Sequence, residues 1–243
     1  LAHPRIALAT LWIMLAGIIA RSGAQAFLDS RPYLLPVGMA GSCLEIAAIC
    51  IFVWLIWKTL NASGKPLAFY DYYIFSALGW FVIQAVYEAV YFTNAATAPS
   101  RDILLALVST WQAPLRDLQI HGFAMLMILG VSQRLFHNFY GLPAPQPWRS
   151  LIVLILLNIA IAGEATGVVL MRTNGHAWAA LWYGAIVLMA FSLAYLVWGW
   201  RLHNRSEESD RSLKCLRMAY FWLFISMAMS VLLPVYQLVL LRA

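Results

Sequence analysis

The chain has 243 residues, of which 63% are hydrophobic and 11% charged, with a formal net charge of +6 and a mean hydropathy of +0.77. Soluble domains carry about a quarter charged residues, so this composition excludes a water-soluble globule and puts the chain in a bilayer. Eleven Trp and eleven Tyr suit the aromatic belts at membrane surfaces. The positive charge needs no nucleic acid, because basic residues flank membrane spans as a matter of topology.

Spans are read as apolar runs of roughly 17–25 residues bounded by charge, Pro or Gly. They predict an all-α polytopic transmembrane helix bundle of about seven spans, forming a single domain over residues 1–243. The first covers 5–27, with Arg21 near its end, and no basic segment with a small-residue cleavage site argues for a signal peptide. The second covers 34–57 and stops at Lys58; Asn61 to Pro66 is a loop, and the third span covers 71–92. Ile103 to Trp111 is too short to span and is expected to lie along the interface or re-enter. Pro114 suits a helix start and opens the fourth span, 114–136. A Pro-rich connection from Gly141 to Pro147 follows, then spans at 148–171, 177–200 and 213–241. Arg201 to Lys214 reads as a loop of mixed charge, and Pro234 as a kink in the last span. Counted by side, ten of the 16 Lys and Arg fall with Leu1, which predicts a cytoplasmic Leu1 end.

The three cysteines, Cys43, Cys50 and Cys215, form no redox or metal motif and are expected as small core residues. No nucleophile–base arrangement, phosphate loop or zinc motif is present, so an enzyme acting alone is not expected.

Ionisable side chains inside spans are functional candidates, because lipid makes them costly. Glu45 lies midway along the second span. Glu88 forms a polar stripe with Gln84 and Tyr91 on the third, and Glu164 lies among small residues on the fifth. These acids read either as a proton path or as interhelical contacts. Arg116 and Asp117, near the outer end of the fourth span where it begins, read as a local pair, with Arg116 also a candidate for a haem propionate. His121 is the one His at membrane depth. Asp117, one turn earlier, can fix its tautomer, and Gly122 leaves room for a flat macrocycle. His137 is about 24 Å further along the same helix, and His3 and His203 are peripheral. His176, at the start of the sixth span, can approach the half of the membrane that holds His121. A single hydrogen-bonded structural His is the alternative.

Gly122, Met127-Ile128-Leu129, Val131 and Arg134, followed by Gly141 and Pro143, resemble part of the NnrS family of bacterial haem- and copper-associated membrane proteins. That resemblance covers about twenty-five residues. It implies an oxidase-like bundle in a bacterial inner membrane, binding haem b through His121 as metal ligand, with Arg116, Arg134 and His176 as cofactor contacts. The family's His often lies a turn and a half before the glycine, where this chain has Asp117. Its other His-rich motifs are missing here, which makes copper doubtful. A role in nitric oxide or respiratory metabolism is the leading expectation. One alternative is a non-catalytic subunit of a respiratory or photosynthetic complex, packed against other membrane subunits. The other is a proton-coupled transporter using Glu45, Glu88 and Glu164.

Overall fold

A computed structural model describes residues 3–28, 30–64, 66–140, 146–200 and 211–240. Residues 141–145 of the expected Pro-rich connection, residues 201–210 of the expected loop with His203, and the last residue of the seventh span lie outside the described residues. The described elements are helical. They are α1 (Pro4–Phe27), α2 (Leu35–Ala62), α3 (Phe69–Ala96), α4 (Arg101–Asp117), a π-helical segment (Leu118–Met125), α5 (Leu126–Tyr140), α6 (Pro147–Thr173), α7 (Ala179–Gly199) and α8 (Arg211–Leu240). Short 3-10 turns, Pro32–Leu34 and His176–Trp178, lead into α2 and α7.

Among the described residues six helices are long and apolar enough to cross a membrane: α1, α2, α3, α6, α7 and α8. Their outer faces expose large apolar side chains, such as Leu8 and Trp12 on α1, Ile155 on α6 and Phe191 on α7. In water this would be untenable, whereas acyl chains cover such faces at no cost. The same physics corrects the expectation for the cysteines: Cys43, Cys50 and Cys215 are all exposed, because an apolar side chain in lipid gains nothing from an interior position. The helices also outrun the hydropathy boundaries. On α2 the Lys58 ammonium lies 4.8 Å from the Trp54 ring centroid, so the helix continues past the charge to Ala62.

The fourth predicted span is the one the structure redraws. No helix begins at Pro114. The helix begins at Arg101, where the Ser100 hydroxyl accepts from the Ile103 N–H, and Ile103 to Trp111 belongs to it. Pro114 lies inside α4 and cannot donate to the Thr110 carbonyl. In this loosened turn the Tyr87 hydroxyl donates to the Trp111 carbonyl at 3.0 Å. Shortly afterwards the backbone widens into the π-helical segment before α5 resumes the ordinary register.

The helices fall into two compact units. The first comprises residues 1–68 and 75–126, the second 69–74 and 127–243. Within the first, α1 and α2 form the principal packed pair, and their contact is made of small residues. A Cβ on Gly17 would meet the Gly41 carbonyl at 2.8 Å, and one on Gly41 would meet the Arg21 nitrogen at 2.7 Å. Backbone therefore touches backbone, as small residues permit in membranes. Phe92 of α3 lays its ring on Gly38, where a Cβ would stand 2.5 Å from it.

Within the second unit α6 and α7 form the principal pair. Gly167 admits the Trp182 backbone, which a Cβ would meet at 2.8 Å. Three buried hydroxyls here are hydrogen-bonded, whereas the Ser192 hydroxyl and the Trp200 indole N–H are buried without a hydrogen-bond partner among the described residues. The Tyr73 hydroxyl donates to the Ser150 carbonyl at 2.7 Å, the Ser150 hydroxyl bonds Gln133, and the Tyr220 hydroxyl donates to Ser132 at 2.8 Å. Phe136, Trp200 and Tyr220 meet edge to face with ring centroids 5.2 to 5.9 Å apart, an arrangement aromatic quadrupoles favour.

Candidate functional site: an arginine between two glutamates

The close packing of the first unit brings three charges together. The crossing at Gly17 and Gly41 places Arg21 of α1 beside Glu45 of α2, and the Arg21 Nε donates to Glu45 Oε1 at 2.8 Å. The seating of Phe92 on Gly38 holds α3 where Glu88, one turn earlier, takes the second guanidinium edge. Arg21 Nη1 lies 2.7 Å from Glu88 Oε1. One cation thus bridges acids from two other helices. Guanidinium suits the task, since it stays charged and presents donors in a rigid fork.

The three side chains differ in access. That of Glu45 is 9% exposed, Arg21 16% and Glu88 21%. Glu88 is the member that opens outward, and it does so into a cavity of about 510 Å³ between α1, α3, α4 and the start of the π-helical segment. Arg21, Gln25, Glu88, Tyr91, Gln112, Arg116 and Gln119 supply the polar lining. Leu28, Phe92, Leu104, Val108 and Leu115 supply apolar walls. Among the described residues no carboxylate pairs with Arg116. The expected Arg116–Asp117 pair does not form, because consecutive helical residues point apart.

The predicted site residues are therefore sorted. Glu45, Glu88 and Arg116 converge on the triad and its cavity, as do Gln119 and Tyr91. Gln84 is buried on α3. Asp117 and His121 lie together on the π-helical segment and its cap, a carboxylate oxygen within 4.8 Å of a ring nitrogen. Glu164 is buried on α6 in the second unit. Arg134, exposed on α5, has its guanidinium 5.9 Å from the Tyr70 ring centroid, and His176 is exposed at the start of a 3-10 turn. The residue the sequence reading missed is Arg21, which its place near the end of a span disguised as an interfacial anchor.

The haem reading asks for a flat space beside Gly122. Trp80 fills it: a Cβ on Gly122 would stand 3.1 Å from Trp80 Cβ and Cγ. Phe123 stacks on Phe81 with centroids 4.3 Å apart. Gly122 and Phe123 are thus packed against α3, and the space expected beside Gly122 is taken by Trp80. Comparisons with protein-family models, curated proteins and solved structures return no match.

Proposed function

We propose that this membrane protein is a carrier that binds a polar solute in the cavity of its first unit and exchanges a proton at Glu88. The observation that supports this reading is the bridged triad on the cavity wall. With both carboxylates ionised the triad carries one net negative charge; a single proton neutralises it. Net charge inside a bilayer is expensive. Glu45 is the more enclosed acid and anchors Arg21, while Glu88 faces the cavity and is placed to gain or lose the proton.

A structural ion pair needs one carboxylate for one guanidinium, and no water-sized space beside it. Here a second carboxylate and a solute-sized cavity are present together. The adjoining π-helical segment adds to this reading, since such segments recur at functional sites and mark places where a helix changes register.

The test is proton flux in proteoliposomes loaded with a pH-sensitive dye. Inward gradients of amino acids, hydroxy acids and sugars are applied one class at a time. At least one class is expected to acidify the lumen faster than in protein-free vesicles, and Glu88→Gln to abolish the difference. Equal proton entry in wild type and Glu88→Gln for every class would overturn the reading.

A further inference from the structure

The charge inventory of the cavity narrows its solute. Arg21 is satisfied by Glu45 and Glu88, whereas Arg116, on the same cavity, has no ion-pair partner among the described residues. With Glu88 ionised, the triad and Arg116 sum to zero. When Glu88 takes a proton, the triad is neutral and Arg116 is left with one uncompensated positive charge. We infer that the cavity binds an amphipathic monocarboxylate, held by Arg116 and taken up with one proton on Glu88. This inference rests on the carrier reading of the same cavity and names its substrate class.

The balance is complete without a further ion. Empty, the four groups Arg21, Arg116, Glu45 and Glu88 are neutral in sum. Loaded, one anion and one proton have been added, and the sum is again neutral. Both states therefore leave the cavity groups without a net charge, which an anion alone or a proton alone would create. A dianion would demand a second proton. Besides Arg21, Glu88 and Arg116, Tyr91 is the titratable side chain that lines the cavity, and Glu45 acts from behind Arg21.

The other wall groups set the rest of the class. Gln112 and Gln119 offer amide donors and acceptors that suit a carboxylate or hydroxyl held alongside the guanidinium. Phe92, Leu104 and Val108 offer apolar surface for a hydrocarbon body. A volume of about 510 Å³ exceeds the need of a simple inorganic anion and matches a small organic acid.

The probe is 3-phenyllactate, with its neutral amide as control for partition into detergent. Binding to the purified full chain is read by calorimetry and thermal stabilisation across a pH series. The acid is expected to bind at least about tenfold tighter than the amide, since its carboxylate gains charge-assisted hydrogen bonds. Its affinity should fall as pH rises, about tenfold per unit where binding takes up one proton. Arg116→Gln, an exposed position, should reduce acid binding to the level of the amide. Glu88→Gln should retain binding and lose the pH dependence. Equal binding of acid and amide, or unchanged acid binding in Arg116→Gln, would overturn the inference. The two readings fail separately. A neutral solute that drives Glu88-dependent acidification keeps the carrier and removes the carboxylate. Binding of phenyllactate in the expected pattern, with no flux above protein-free vesicles, keeps the site and removes the carrier.

Discussion

Replacing Arg21 by Gln tests the triad most sharply, because it strands two carboxylates that were held by one cation. Each ion pair is a close one, at 2.8 Å and 2.7 Å, with side chains 9 to 21% exposed. At an effective dielectric near 20, unit charges about 4 Å apart attract by about 4 kcal/mol, most of it offset by the cost of desolvating them. Removing one partner leaves that cost without its compensation, typically about 3–5 kcal/mol. We therefore expect Arg21→Gln to destabilise by an amount near the lower end of that range, since part of the penalty is relieved by water at Glu88. The triple variant Arg21→Gln, Glu45→Gln, Glu88→Gln removes every charge and should recover most of the loss. Glu45→Gln should cost more than Glu88→Gln, following their exposures. Equilibrium unfolding in mixed micelles, followed by circular dichroism, measures all four. A single variant within about 0.5 kcal/mol of wild type, or a triple variant less stable than the single one, would refute the reasoning.

Gly41→Leu should separate α1 from α2, because its side chain would enter space held by backbone atoms of Arg21 and Gly17; thermal unfolding should show a loss of about 1–3 kcal/mol. The fully buried Tyr73 hydroxyl bonds the Ser150 carbonyl, so Tyr73→Phe should cost about 1–3 kcal/mol in the same unfolding measurement, as a buried acceptor loses its donor. Protein purified from haem-replete cells should show no Soret absorbance. Trp80 covers the Gly122 face, and Asp117 stands beside His121; a Soret band lost in His121→Ala would restore the haem reading.

How far the sequence disclosed this structure varied with the physics behind each signal. The long spans were legible, because length and hydropathy are what a bilayer selects. Glu45 and Glu88 were legible for the converse reason, as charges where lipid makes charge costly. Their partner Arg21 was not, since a cation six residues from the end of a span reads equally well as an anchor at the surface. The glycines that set the α1–α2 approach carry no pairing information on their own, so the convergence on Arg21 appears only in three dimensions. At the fourth span the Pro114 signal misled. Pro is favoured in a first turn, yet here it lies well inside a helix already capped by Ser100. The π-helical segment was hidden too. An apolar run such as Leu118–Met125 looks the same whether its turn holds 3.6 residues or more, and lipid on the outside removes the inside–outside contrast that would reveal the register.

Counting protons taken up per ligand bound tests the central claim most directly. Calorimetric titration of the full chain with 3-phenyllactate, in buffers of different ionisation heat, gives that count. At a pH where Glu88 is ionised in the free protein, about one proton is expected per carboxylate in wild type, by linkage between the two binding events, and none in Glu88→Gln. A count of zero in wild type, or the same count in both proteins, would contradict a proton exchanged at Glu88.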